Sequence, residues 1–263
     1  MAARLKDFQG AFHDLGLDRK PVIVHASLSS FGQVQGGAET VVEALVNEFH
    51  SIIVPAFTYK TMLIPMTGPP DNGITYGSGK AKNCMAEFYR PDMPVDPMIG
   101  IVPEALRRRS QAHRSNHPIL SFAALNDDVA LSAQTLEDPF APIGVMEKQD
   151  GWVLLLGVDH TVNTSIHYAE KLAGRRQFIR WALTTEGVRE CPSWPGCSSG
   201  FNQICRDVGP DTRQVELNSA IIQAVPLKGL LRVVAARLEQ DPLALLCKRE
   251  DCERCQAIRI RPA

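Results

Sequence analysis

Residues 152–174, Trp-Val-Leu-Leu-Leu-Gly-Val-Asp-His-Thr-Val-Asn-Thr-Ser-Ile-His-Tyr-Ala-Glu-Lys-Leu-Ala-Gly, constrain the fold more than any other stretch. Residues 152–158 are apolar without a break, the pattern of a strand buried on both faces. Residues 159–163 are polar and turn-like. Asn163 or Thr164 then suits the start of a helix, because its side-chain oxygen accepts from the free first N–H groups. Gly174 suits the end, where a left-handed residue is needed. A strand-turn-helix unit of this kind puts its turn at the carboxyl end of a sheet, where open α/β sheets bind their ligands.

His167 and Glu170 stand i, i+3 on the helix and share nearly one face. The positive N-terminal end of the helix disfavours an imidazolium, so His167 reads as a neutral ring available as a base. Glu170 is placed to hold that ring in one tautomer and to stabilise the imidazolium once it forms. An exposed His/Glu pair on an amphipathic helix has the same spacing and, for an isolated pair, is the commoner arrangement. The rest of the chain decides between them.

With 263 residues and 44% apolar content, the chain is long enough for a large core. Its 28 basic and 29 acidic residues are spread evenly, so no field attracts nucleic acid or an anionic membrane. The first residues are polar, and no apolar run reaches transmembrane length, which makes a cytoplasmic location the expectation. Seven cysteines, an odd number, argue against a secreted disulfide framework.

Along the chain, residues 4–16 read as a short helix and 21–27 as a β-branched strand. A Ser/Gly-rich loop follows, then a helix over 38–49 and a second strand over 51–58. This is a βαβ unit, for which a parallel pair and a right-handed crossover are expected. Residues 60–97 read as a long surface excursion. Helices are expected near 99–109, 128–136, 142–148 and 227–239, and strands near 121–125 and 177–184. Residues 190–203 read as a loop, and 215–225 as a mixed segment. The domain reading is a single unit over 1–263, with 190–263 a loop-rich part that does not fold independently.

Two further motifs carry chemistry. His25-Ala26-Ser27-Leu28-Ser29-Ser30-Phe31-Gly32, followed by Gly36-Gly37 and a helix, lies at a strand-to-helix turn. Small residues there admit close backbone approach, and free N–H groups with serine hydroxyls suit phosphate. The stretch is neither a P-loop nor a dinucleotide fingerprint, and a Ser/Gly-rich turn alone also serves simply as a turn. In Arg114-Ser-Asn-His117-Pro-Ile-Leu-Ser121-Phe122, the histidine before proline is held extended; it suits either a ligand or a loop carbonyl.

The order and spacing of these motifs resemble the aminoglycoside 3-N-acetyltransferase family. They are His-Ala-Ser-Leu-Ser-Ser-Phe-Gly, a Val-Pro-x-Phe-Thr strand, Arg-Ser-x-His-Pro-x-x-Ser, and Leu-Leu-Gly-Val-x(5)-Thr-Ser-Ile-His-Tyr-Ala-Glu. The resemblance runs from about residue 5 to 240. It implies an α/β fold distinct from the GNAT superfamily: a mixed, largely parallel central sheet flanked by helices, here with a Cys-rich C-terminal appendage. It also implies acetyl-coenzyme A as cosubstrate and acetylation of the 3-amino group of 2-deoxystreptamine antibiotics, hence resistance. The expected partners are therefore acetyl-coenzyme A and a polyamine-like aminoglycoside, with no nucleic acid and no membrane. Carried over by position, His167 is the general base with Glu170 its partner. His25, Ala26, Ser27, Leu28, Ser29, Ser30, Phe31, Gly32, Ser121 and Phe122 line the coenzyme channel. The alternatives are a same-fold acetyltransferase of an unrelated small amine and a coenzyme A-binding protein without turnover. A zinc-dependent hydrolase has no open His/Asp ligand set to support it.

The cysteines depart from the family pattern. Cys84 stands early and alone; the other six follow residue 190. Cys252-x-x-Cys255 is a chelating spacing, and Cys247 with Cys197 would complete a tetrahedral thiolate site for structural zinc. The overall spacing matches no standard zinc module, so packed, reduced thiols are the favoured reading and no catalytic metal is expected.

Overall fold

The computed structural model describes residues 2–260. Helix α1 (Leu5–Asp14) leads to strand β1 (Val22–Ala26), helix α2 (Gly37–Glu48) and strand β2 (Ile52–Pro55). β1 and β2 pair in parallel, Val22 beside Ile52, as the βαβ pattern requires. Apart from 3₁₀ turns at its two ends, the glycine- and proline-rich excursion then holds β3 (Met62–Leu63) and the single turn α3 (Lys80–Asn83). Next come α4 (Ile101–Arg107), β4 (His113–Arg114) and β5 (Phe122–Leu125). α5 (Asp128–Ser132) and α6 (Ala141–Lys148) precede β6 (Trp152–Leu156) and α7 (Thr164–Leu172). β7 (Phe178–Thr184) and β8 (Gly187–Trp194) follow, then the short α8 (Cys205–Val208). The chain closes with β9 (Arg213–Leu217), β10 (Ala220–Pro226), α9 (Leu227–Gln240) and α10 (Glu253–Ile260).

Seven strands form a mixed central sheet in the order β4-β5-β2-β1-β6-β10-β9. Its middle, β2-β1-β6, is parallel, and antiparallel strands extend it on both sides. Along β1 and β6, alternate residues face opposite layers. Val22, Val24, Leu154 and Leu156 pack against α1, α2 and α4 through Phe8, Phe12, Val41, Leu45 and Leu106. Ile23, Val153 and Leu155 pack against Ile143 of α6, Ile166 of α7 and Leu230 of α9. Both faces are dry, which is why 152–156 carries no polar alternation. Among the described residues, no helix is long and apolar enough to cross a membrane.

A second, antiparallel sheet has the order β3-β7-β8. Here the structure departs from the loop expected over 190–203, because β8 continues to Trp194. β8 is an edge strand, and an edge tolerates Pro192 and the left-handed Ser193 (φ 57°), both of which disguise a strand in sequence. The segment 215–225 resolves into the β9–β10 hairpin, so residues beyond 190 complete the central sheet. α10 falls where no helix was expected.

The loop from Ser115 to Ser121 is pinned from inside. His117 Nδ1 accepts from the N–H groups of Ile119 and Leu120 at 3.1 and 2.9 Å, so this histidine organises a turn. Burial pushes its pKa down to about 4, and burial together with His160 lowers that of His25 to about 3. Below the ordinary histidine value near 6.5, the unfolded chain takes up protons that the folded chain refuses. Stability from these groups is thus complete above about pH 6.5 and is lost as the pH falls towards 4, at up to ~1.4 kcal/mol per pH unit per group. Thermal melts from pH 7 to 4.5 should show Tm falling in this window. His117→Asn should flatten the slope by about one proton; an unchanged slope would remove His117 as its source.

Candidate active site

The site grows from the turn after β6. Gly157 has φ +64°, and a Cβ there would lie 2.6 Å from Ser30 Cβ, so only glycine fits. Ser30 Oγ donates to Gly157 O at 2.7 Å, stitching the loops after β1 and β6 together. Asn163 is the residue that caps α7, its Oδ1 accepting from Ser165 N at 3.1 Å. His160 is buried beside this turn, and Thr164 Oγ1 lies 3.3 Å from His25 Nε2.

His167 and Glu170 are not an exposed pair. His167 is 8% exposed and Glu170 2%. His167 Nδ1 lies 2.8 Å from Glu170 Oε2, and the second oxygen, Oε1, accepts from Arg175 Nη1 at 2.7 Å. Arg175 Nη2 in turn donates to Ala244 O at 2.9 Å and to Pro242 O. The Phe201 ring meets the imidazole edge-on at 4.7 Å, and Phe140 stacks on it at 6.2 Å. A carboxylate at Nδ1 fixes the proton there and leaves Nε2 with its lone pair as the free ring nitrogen. A chain of imidazole, carboxylate and guanidinium of this kind can take up and return one proton without moving.

His167 lines a cleft of about 1240 Å³, larger than two other hollows of about 360 and 550 Å³. That exceeds the 300–1,000 Å³ typical of one drug-sized ligand and leaves room for two substrates. Of the residues the sequence nominated, His25, Ala26, Ser27, Leu28, Ser29 and Gly32 line the same cleft as His167. Four others do not. Ser30 spends its hydroxyl on Gly157, and Phe31 is buried edge-on against Phe8 at 5.1 Å. Ser121 is fully buried, donating to Ala56 O at 2.8 Å, while Phe122 packs edge-on against Phe57. Tyr59, Met98, Thr164, Trp194, Gly196 and Arg254 complete much of the wall.

Sequence reasoning missed Arg175 and Arg254. Arg175 follows the helix-ending glycine beside Arg176 and looks like a solvated basic pair. Its 4% exposure follows from the carbonyls of residues 242 and 244, which lie far away in sequence. Arg254 is hidden inside the Cys-x-x-Cys spacing, and its Nη1 donates to Gly196 O at 2.8 Å. The acidic residues available for a cationic acceptor are otherwise engaged or remote. Glu104 pairs with Arg107 at 2.8 Å, Asp96 caps a turn at Met98 N, and neither lines the cleft.

Comparison with known proteins agrees with this architecture. A family profile described as Aminoglycoside 3-N-acetyltransferase matches residues 23–239. Aminoglycoside N(3)-acetyltransferase IX of Micromonospora chalcea is 36% identical over 175 residues, 62% of this chain and 60% of that protein. The chain thus spans about three-fifths of the length of the curated relatives it matches. The crystal structure of the aminoglycoside acetyltransferase AAC(3)-IVa apoenzyme superposes with a TM-score of 0.79 at 23% identity, over 99% of this chain and 98% of that one. AAC-IIIb, solved as a binary complex with CoASH, gives a TM-score of 0.70 at 19% identity, over 91% and 97% of the two chains.

Arg175→Met should remove the countercharge from a carboxylate that is 2% exposed. Breaking one partner of a buried ion pair costs about 3–5 kcal/mol, because the other charge is left stranded. Urea unfolding should record that loss at pH 7. A loss under about 1 kcal/mol would mean that Glu170 does not depend on Arg175.

Proposed function

Because the chain belongs to the aminoglycoside 3-N-acetyltransferase family, we propose that it transfers an acetyl group from acetyl-coenzyme A to an amine, the 3-amino group of a 2-deoxystreptamine aminoglycoside. His167 is the general base of this reading and Glu170 its partner. The observation that carries it is the buried Glu170–Arg175 pair behind an imidazole that lines a cleft shared with the Ser27–Ser29 turn.

Acetyl-coenzyme A supplies a thioester carbonyl, and the acceptor nitrogen must lose a proton as it attacks. In this reading Nε2 of His167 takes that proton, and the resulting imidazolium is held by Glu170, whose own charge is shared with Arg175. The same nitrogen can return the proton to the departing thiol sulfur, which closes the proton balance in one ternary complex. Phe140 and Phe201 keep the ring plane fixed while the charge changes hands. Ser27, Ser29 and Gly32 offer hydroxyls and an open backbone to the pyrophosphate and pantetheine. Cys84 is exposed and outside the cleft lining, which favours direct transfer over an acetyl-enzyme.

A second reading rests on the charge of the cleft. Its lining carries Lys82 and Arg254 and no carboxylate, a poor match for a polycation. This favours a same-fold acetyltransferase whose acceptor is a less cationic small amine. Thiol release measured over a panel of 2-deoxystreptamine aminoglycosides and simple amines separates the two, and coenzyme A binding without any thiol release would leave only a binding protein.

His167→Ala should lower kcat by about 10²–10⁴-fold, the scale of general-base catalysis, with little change in acetyl-coenzyme A affinity. Glu170→Gln should fall between that variant and the parent. Normal turnover by His167→Ala at pH 7 would discard the mechanism.

The joint variant Ser27→Val/Ser29→Val should raise the KM for acetyl-coenzyme A several-fold, since branched apolar side chains replace hydroxyls at the cleft wall. The acceptor KM should stay nearly level. A defect confined to the acceptor would move the donor site elsewhere.

A further inference from the structure

Four cysteines from three separate segments meet in one place. Cys197 lies in the loop after β8, Cys247 in the turn region after α9, and Cys252 and Cys255 at the start of α10. Their sulfurs all lie within 4.8 Å of one another. All four residues are buried, at 3%, 3%, 5% and 0% exposure, and none is in a disulfide. We propose that Cys197, Cys247, Cys252 and Cys255 bind one structural zinc ion.

Four thiolates at ~2.3 Å from a central zinc stand about 3.8 Å apart, so the cluster needs to contract by an ångström or less. One polar group already meets a sulfur: Cys197 Sγ lies 3.4 Å from the Ser199 hydroxyl. Thiolates around a divalent ion carry a net negative charge, and a hydroxyl beside one of them can turn to donate to it. Cys252-x-x-Cys255 at a helix start is also the local spacing from which two ligands reach one ion. Four soft sulfurs in a closed tetrahedron select zinc over calcium or magnesium, and no position is left open for substrate. The four sulfurs are too close together to enclose a polynuclear iron–sulfur cluster.

The ion fastens the wall of the cleft. Trp194, Pro195, Gly196 and Ser198 line it just beside Cys197, as does Arg254 between the two cysteines of α10. The site is therefore a clamp between α10 and the 195–198 loop.

Elemental analysis of the purified full chain tests this directly, with no need for activity. About one zinc per chain is expected, unchanged in Cys84→Ser/Cys205→Ser and lost in Cys252→Ser/Cys255→Ser. Cobalt(II) exchanged into the wild-type chain should show thiolate charge-transfer and tetrahedral d–d absorption. Stripping with a chelator should lower Tm by about 5 °C or more, and zinc but not magnesium should restore it. A wild-type chain with under about a tenth of an equivalent of zinc, or with iron in its place, overturns the proposal. So does zinc retained by the Cys252→Ser/Cys255→Ser variant. Should that variant fail to fold, the metal content and cobalt spectrum of the wild-type chain decide the matter.

Discussion

The demand that organises the site is the charge of Glu170. A carboxylate 2% exposed stays ionised only when its oxygens are fully engaged. One oxygen takes the imidazole N–H, and the other takes Arg175 at 2.7 Å. Burying Arg175 transfers the demand onward, because a guanidinium must fill its remaining donors. The carbonyls of Pro242 and Ala244 answer it, which brings the segment after α9 against α7. Gly200 permits the approach, since a Cβ there would meet Leu245 O at 2.3 Å. The next residue, Phe201, is the ring that meets His167. The constraint runs in a circle and returns to the imidazole.

Much of this was legible in sequence because it rests on local rules. The unbroken run at 152–156, the βαβ pattern at 22–55 and the Asn163 cap depend on neighbours a few residues away. Arg175 and α10 were not legible, because their burial is decided by distant backbone. β8 was hidden by Pro192 and Ser193, which an edge strand accommodates and a central strand does not. The Ser27–Gly32 motif looks in sequence like one lining surface, yet a 3₁₀ turn sends successive side chains different ways. Ser27 and Ser29 reach the cleft, while Ser30 and Phe31 face a neighbouring loop and the core. Ser121 and Phe122 fit the motif by letter, but in the fold the Ser121 hydroxyl is held between Ala56 O and Arg114, and Phe122 packs on Phe57.

Under the proposed activity, the electrostatics of the cleft separate a donor side from an acceptor side. Hydroxyls and cations on its walls suit a phosphorylated cosubstrate. An acceptor with several ammonium groups needs carboxylates, and those nearby are occupied: Glu170 by its two partners and Glu104 by Arg107. The chain's net charge of −1 supplies no long-range field to offset this. In the proposed mechanism, chemistry and acceptor choice therefore rest on different residues, and one proton-transfer core is compatible with different amines.

The carboxyl-terminal segment faces a packing problem of its own. Among the described residues α10 spans eight, about two turns, well below the length at which a helix holds itself. It buries only Cys255, Ala257 and Ile258, of which Ile258 alone is a large aliphatic side chain. Yet Arg254, on its first turn, must stay in place to hold Gly196 O and shape the cleft. Hydrophobic contact on this scale does not offset the loss of backbone freedom over such a segment. A cross-link near its start does, because ordering then propagates from a fixed first turn. Arg175 supplies one such tie at residues 242–244, and the four sulfurs lie where a second is needed.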